Sequence, residues 1–425
     1  MRRVAITGIG AVTPVGNDAA ATWQNLVAGR SGVGPLTTFD ASAFPVRIGG
    51  QVRGFDIGQR VPRDRGRRLS RAGMFAVAAA AEALGHAGVT AGTYPPEERG
   101  VAMGGSVGRP ELQTVVDIAW LRAATGGRAI VRHPPGEVLL RDQNVPVSSI
   151  ARLGSCTGPM ISVSTACAGS GHAIGEAFRH IQEGDATLML AGGYDALTTW
   201  MDLLGFSLLG AVTSAYNDEP ERASRPFDAA RSGFVIGEGA VVFVLEELGP
   251  ARARGATVLA ELLGYGSTLN AYRITDSPQD GGGAIPAMAQ ALADAGLDPS
   301  AIDYVVAHGT GTHGNDISET VAIKEVFGPD AYRLVVSSPK SMTGHLTSAA
   351  AGLNLLAAVG ALRHGLVPPT VNLDNPDPKL DLDYVPKVAR QLPVSAVMVN
   401  AFAFGGTNTC LVAGTPTDSS RKDGS

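Results

Sequence analysis

Cysteine is scarce in this chain: Cys156, Cys167 and Cys410 are the only three in 425 residues. That is too few for a disulfide framework, and a reducing cytoplasm is the expected setting. No Cys/His cluster has zinc spacing, so no metal is expected. Charge is also sparse, at 17% of residues with a net of −5, which argues against nucleic acid as a partner. No apolar run suits a membrane span. The longest uncharged stretch, Leu346 to Leu362, is interrupted by Thr347, Ser348, Gly352 and Asn354 and is expected to be a buried helix. Met1-Arg2-Arg3-Val4 leads straight into a strand pattern without the apolar core of a signal peptide. Nucleotide loops are excluded as well. Gly281-Gly282-Gly283 lacks the following Lys-Ser/Thr of a P-loop, and Gly8-Ile9-Gly10 lacks the third glycine of a dinucleotide fingerprint, so a tight turn is expected there.

What is present is a chain able to bury a large core, with 44% hydrophobic residues and a length that predicts more than one domain-sized unit. Strand patterns at Val4 to Thr7, Gly100 to Met103, Ile161 to Ser164 and Leu188 to Ala191 alternate with helix patterns at Ala72 to Leu84 and Ile174 to Gln182. A helix at Ile285 to Ala295, stopped by Gly296, precedes a strand at Tyr304. This alternation predicts an α/β fold. No sequence repeat is evident. Glu246 to Gly255 is a candidate junction, and Thr415 to Ser425 is polar and expected to be disordered.

Cys167 is the most informative residue. It lies in Val163-Ser164-Thr165-Ala166-Cys167-Ala168-Gly169-Ser170-Gly171, where a strand pattern gives way to helical spacing. Unpaired N–H groups at a helix start favour a thiolate and are expected to lower the thiol pKa, while small neighbours leave room for a substrate. Taken alone, a cysteine flanked by Ala and Gly is more often a small core residue. Two further segments carry histidines after strand patterns: Ala307-His308-Gly309-Thr310-Gly311-Thr312 and Lys340-Ser341-Met342-Thr343-Gly344-His345. A cysteine with separated histidines is a nucleophile pattern only where local signatures support it. Cys156, Cys410, His172 and His180 lack such surroundings and are read as structural.

Those signatures are present, and the chain resembles the β-ketoacyl-ACP synthases, condensing enzymes of the thiolase superfamily. The resemblance runs nearly end to end. It takes in Arg3 to Gly10, Thr13 to Asn17, Ser164-Thr165-Ala166-Cys167, Ala191-Gly192-Gly193, Ser224 to Asp228, Gly233 to Gly239, the two histidine segments and Phe404-Gly405-Gly406-Thr407-Asn408. It implies a thiolase-like α/β fold of stacked α-β-α-β-α layers in two similar halves, 1–250 with the nucleophile and 251–413 with both histidines, followed by a tail at 414–425. It also implies a decarboxylative condensation. Cys167 would carry the acyl chain, His308 and His345 would stabilise the enolate, Lys340 would organise their electrostatics, and Phe404 would gate the pocket. Thr310 and Thr312 would bind the pantetheine arm, with Val107, Ala403 and Gly405 lining the substrate path and Arg67 and Arg68 docking the acidic carrier. No cofactor is implied beyond the phosphopantetheine of the acyl carrier protein. A dimer is implied, either of like subunits or with a chain-length factor.

Three departures bear on the pathway. Ala403 stands where the family's gating loop usually has Gly, Asn354 where a Glu commonly pairs with the lysine, and Tyr216 where elongation enzymes tend to have a docking Arg. The run Ser164 to His172 is nearer to the bacterial fatty acid elongation synthase, but the altered gate and docking positions favour a ketosynthase of a type II polyketide system making reduced or polyene chains, with a housekeeping fatty acid elongation synthase as the alternative. A degradative thiolase is disfavoured by the histidine pair, and a silent chain-length partner by Cys167.

Overall fold

The computed structural model describes residues 1–62, 69–106, 112–128 and 142–417. Its strands are β1 (Val4–Val12), β2 (Val33–Pro35), β3 (Ile48–Gly50), β4 (Arg99–Gly105), β5 (Met160–Val163), β6 (Leu188–Ala196), β7 (Glu238–Glu247), β8 (Ala260–Leu269), β9 (Tyr304–Val306), β10 (Val335–Ser337), β11 (Leu366–Val367), β12 (Arg390–Gln391), β13 (Ala396–Phe402) and β14 (Thr407–Gly414). Ten of them form one sheet in the order β10-β9-β13-β14-β8-β1-β7-β6-β4-β5.

That order contains a repeat the sequence conceals. Numbering the five sheet strands of each half by chain position, both read third, second, fourth, fifth, first, outward edge to centre. The pairing senses match too: the two outer pairs of each half are parallel and the two inner pairs antiparallel. The halves meet where β1 pairs antiparallel with β8 over three residue pairs. Side chains have diverged, so the duplication shows in the backbone and not in the sequence.

The helices complete five layers. Gly169–Glu183 and Ala350–His364 pack against each other and against strands of both halves. Their apolar faces share one central core with Val4, Ile6, Phe243, Val306 and Val399. Arg71–Ala87 covers the outer face of the first half-sheet and Ala284–Ala295 that of the second. With both faces covered, β1 and nearly all of β7 are buried throughout, as continuous apolar strands require.

Local chemistry sets the boundaries. Arg71–Ala87 starts at Ser70, whose side chain accepts from the Gly73 N–H, and stops at Gly88, a left-handed cap at φ 63°. Gly8 and Gly10 do not form the expected turn. Both lie inside β1, and a Cβ on either would collide with the carbonyl oxygens of Ala83 or Ala79 in the covering helix. Their role is close strand–helix packing. The candidate junction is ordered: β7 runs to Glu247 and a short helix, Leu248–Ala253, follows. The uncharged stretch from Leu346 is a buried 3₁₀ turn, Thr347–Ala349, leading into Ala350–His364. Among the described residues no helix is long and apolar enough to cross a membrane.

Candidate active site

Cys167 sits on the 3₁₀ turn Ala166–Ala168, between the end of β5 at Val163 and the helix beginning at Gly169. The preceding residue, Ala166, has φ +46°, a left-handed conformation costing a non-glycine residue about 1–2 kcal/mol. The turn is tied locally. The Ala168 N–H donates to the Thr165 carbonyl at 3.1 Å, and the His172 ring bridges the Thr165 hydroxyl at 2.9 Å and the Ser267 hydroxyl at 3.0 Å. His172 is thus spent on structure. The nearby Lys340 charge favours a thiolate, as do the backbone N–H groups of Phe404 and of Cys167 itself. Burial, with the Asp195 charge adding to it, nonetheless outweighs them and pushes the thiol up to about 11, the reverse of the lowering expected from the helix start.

The histidines arrive from the second half. His308 follows β9 and is held by Glu319, whose carboxylate accepts the His308 and Gly309 N–H groups, both at 2.8 Å. Asp316 does the same for the Thr310 N–H at 3.1 Å and the Phe227 N–H at 2.9 Å. The acidic residues after the Gly-Thr loop therefore fix its backbone. His345 is anchored by its N–H to the Val235 carbonyl at 2.7 Å, and its ring lies 5.3 Å from that of His308 at 80°. Both pKa values lie well below the usual histidine range, because of burial first and the Lys340 charge second.

Hydrogen bonding settles the tautomers. The Thr347 N–H donates to His345 Nδ1 at 3.2 Å, which leaves the proton on Nε2. The Lys340 ammonium donates to the His308 carbonyl at 2.6 Å and stands 3.5 Å from His308 Nδ1, disfavouring a proton there too. Each neutral ring therefore presents an Nε2–H donor.

Cys167, His308 and His345 line one cavity of about 240 Å³. Thr310, Thr312, Ala403 and Phe404 also line it, with Phe206, Phe234 and Phe402 supplying aromatic wall and His313 lying beside them. The Thr310 and Thr312 hydroxyls are 2.9 Å apart. Lys340 is buried behind His308 and is not part of the lining. Gly405 is exposed outside it, at φ +86°, its N–H donating to the Ile274 carbonyl at 2.6 Å. Asn354 does not face the lysine as an acceptor: its amide donates to the carbonyls of Ala307 at 3.0 Å and Asn400 at 3.1 Å. The anion that most favours the charged lysine is Glu319. Tyr216 packs under the guanidinium of Arg225, 5.1 Å from its ring centre. Arg67, Arg68 and Val107 lie outside the described residues. Cys156 and Cys410 are not part of the cavity lining. Sequence reasoning missed the phenylalanine wall and the buried Asp195, which holds the turn after His345; neither has a local motif. Among the described residues no cluster of His, Cys, Asp or Glu is arranged to hold a metal.

The duplicated five-layer fold is that of the thiolase-like proteins. Residues 1–251 match the β-ketoacyl synthase N-terminal domain and residues 259–374 its C-terminal domain, and the chain belongs to that family of condensing acyltransferases. It is 43% identical over 410 residues to 3-oxoacyl-[acyl-carrier-protein] synthase 2 of Synechocystis, covering 96% of this chain and 97% of the relative. The enzyme of the same name from Coxiella burnetii is 42% identical, with 97% and 98% covered. Among solved structures, the ketosynthase of the AntDE:AntF complex, a type II polyketide ketosynthase with its acyl carrier protein, superposes with a TM-score of 0.87 at 32% identity, covering 98% of this chain and 100% of that one. The ishigamide ketosynthase/chain length factor gives 0.86 at 34%, with the same coverage.

Proposed function

We propose that Cys167, His308 and His345 carry out a decarboxylative Claisen condensation between an acyl chain on Cys167 and a malonyl unit on an acyl carrier protein. The single observation that carries this reading is that two imidazole rings, each with a donor at its Nδ1, line the same cavity as the thiol. In the first step the sulfur attacks the carrier thioester, and the proton lost by Cys167 ends on the departing pantetheine thiol. A thiol pushed up to about 11 is a poor free nucleophile, so the Lys340 charge and the N–H groups of Phe404 and Cys167 act as the thiolate forms. In the second step the malonyl carboxylate leaves as CO₂, and its bonding electrons pass into an enolate whose oxygen accepts from both imidazoles. Preorganised donors in a dry site are worth most where charge develops. The enolate carbon then attacks the Cys167 thioester. The tetrahedral oxyanion rests on the Cys167 and Phe404 N–H groups, the thiolate departs, and a proton from solvent restores the thiol. Thr310 and Thr312 hold the pantetheine arm, and Phe404 with Ala403 and Gly405 forms the gate.

No cofactor enters this scheme beyond the carrier's phosphopantetheine, and the setting is cytoplasmic. The chain divides into halves at 1–250 and 251–413, a division supported by the repeated strand order. A dimer is supported by the open sheet edge at β5, where Met160 is exposed, and by the helix Leu112–Ala124, which exposes Val115, Val116, Ile118 and Trp120. The pathway proposed is a type II polyketide system making reduced or polyene chains, favoured by Ala403, Asn354 and Tyr216. Fatty acid elongation is the second reading, favoured by full-length identity above 40% to synthases of that name. Purification from the native cell followed by intact mass tests the choice: a stoichiometric homologous partner supports the polyketide reading, and a homodimer the fatty acid one. The chemistry is tested by incubation with acyl-ACP and peptide mass mapping. An adduct on Cys156 or Cys410 with Cys167 free overturns it.

A further inference from the structure

The condensation scheme makes no use of Asp195, a carboxylate buried to 3% exposure at the end of β6. One of its oxygens, Oδ2, accepts three hydrogen bonds from both halves of the molecule: Ser106 hydroxyl at 2.7 Å, Thr347 hydroxyl at 2.5 Å and Ser348 N–H at 3.2 Å. Burying a carboxylate is costly unless it is well satisfied, so such an arrangement holds whatever donates to it in place. Thr347 needs holding. It has φ +47°, a conformation that a β-branched residue adopts only where its surroundings impose it. In that conformation the Thr347 N–H points back to His345 Nδ1 at 3.2 Å. A relaxed Thr347, with negative φ, would turn the peptide and take the N–H off the ring.

We propose that Asp195 is a positioning residue: by clamping the Thr347-Ser348 turn across the two halves, it keeps the Thr347 N–H on His345 Nδ1 and so keeps the imidazole proton on Nε2, facing the cavity. No side chain other than His345 needs to move for the effect to be felt at the enolate. The carboxylate acts on His345 through the peptide and does not touch substrate; its charge separately raises the Cys167 thiol pKa. The inference rests on the proposed role of His345 for its catalytic consequence, but not for its structural content.

The test uses the full chain with ¹⁵N-labelled histidine, in which couplings between ring nitrogens and carbon-bound ring protons report which nitrogen carries the proton. His345 is assigned by loss of its signals in His345→Gln. Wild-type protein should show His345 protonated on Nε2. Asp195→Ala, with folding checked by a thermal melt, should show a mixture of tautomers or the Nδ1–H form. Thr347→Val removes one link of the clamp and leaves the carboxylate in place, so it should give a smaller change in the same direction; it also serves if Asp195→Ala does not fold. An unchanged Nε2–H signature in the folded variants would overturn the inference. Malonyl-ACP decarboxylation and Cys167 acylation are measured on the same samples. A tautomer change accompanied by a loss of decarboxylation on the order of 10-fold or more, with acylation slowed by no more than about threefold, supports both the clamp and the catalytic role of His345. A tautomer change with decarboxylation intact keeps the clamp and removes His345 from the enolate site.

Discussion

The two halves of the molecule build the same device and finish it differently. In the first, a 3₁₀ turn at Ala166–Ala168 opens the fifteen-residue helix Gly169–Glu183; in the second, a 3₁₀ turn at Thr347–Ala349 opens the fifteen-residue helix Ala350–His364. The first residue of each turn has a left-handed backbone, Ala166 at φ +46° and Thr347 at φ +47°. The next residue is Cys167 in one half and Ser348 in the other. The first turn faces the cavity with its thiol, while Ser348 is fully buried, its hydroxyl 3.3 Å from that of Ser106 and its N–H on Asp195. One copy of the elbow presents a nucleophile. The other has become a brace, and the histidine two residues before its strained position supplies the donor. A duplicated fold thereby yields an asymmetric site without a change of backbone.

The largest effect should follow from the side chain that distinguishes the elbows. Cys167→Ala should abolish condensation, with activity down by more than about 10³-fold, and should eliminate the acyl adduct found by peptide mass mapping. Ser348→Ala should cost less than about tenfold, because its hydroxyl meets Ser106 and Asp195 and does not line the cavity. A comparable loss in both variants would make the second elbow part of the chemistry and erase the contrast.

Next come the donors that only the second half provides. His308→Ala and His345→Ala should each lower malonyl decarboxylation and condensation by about 10²–10³-fold while leaving Cys167 open to acylation. If either variant condenses at the wild-type rate, that histidine is structural.

A smaller effect separates Lys340 from the rings it supports. Burial lowers the Lys340 pKa to about 8, and the depressed value means that the ammonium is present below about pH 8 and lost as pH rises through it. While charged, it favours the Cys167 thiolate. Alkylation of Cys167 by iodoacetamide should therefore be slower in Lys340→Met at pH 7, by up to about tenfold. The two proteins should converge towards pH 9.5, where the wild-type lysine has given up most of its charge. A constant ratio across that range would mean that the lysine acts on the site by packing rather than by charge.

The sequence made much of this legible, for a physical reason. Chemistry carried by residue type in a short segment can be read directly, and Cys167, His308, Lys340 and His345 all sit in such segments. Strongly periodic strands and helices form where the pattern predicts them, with ends up to about five residues away: the helix expected at Ile285 to Ala295 forms at Ala284–Ala295, while the strand expected at Val4 to Thr7 runs on to Val12. What could not be read depends on contacts distant in sequence. The repeated strand order is a property of pairing, which diverged side chains hide. Gly8 and Gly10 look like a turn until the helix that presses on them is known. The thiol was expected to be acidic because the helix start is local, whereas the burial that dominates comes from the whole fold. Asp195 lies 152 positions from the Thr347 hydroxyl it holds, and no spacing rule could have joined them.

The smallest expected effect concerns the loop that closes over the first elbow. Ala403-Phe404-Gly405-Gly406 forms a tight turn between β13 and β14, with the Ala403 N–H donating to the Thr407 carbonyl at 2.8 Å and the Gly406 N–H to the Ala403 carbonyl at 3.0 Å. The left-handed positions in it are Gly405 and Gly406, at φ +86° and +82°, so the Cβ of Ala403 is unstrained in this conformation. Its cost would arise only when the loop moves, since a glycine could enter left-handed backbone that an alanine resists. Ala403→Gly should thus leave the resting structure nearly unchanged and alter the exchange between acyl loading and malonyl entry, by less than about tenfold in rate. Competition between short and long acyl-ACPs measures it: a shift in chain-length preference identifies Ala403 as the stiffener of the Phe404 gate. Phe404→Ala should shift the same preference further, because it removes the gate itself. Unaltered selectivity in both variants would locate chain-length control away from this loop, and an effect confined to thermal stability would leave Ala403 a packing residue.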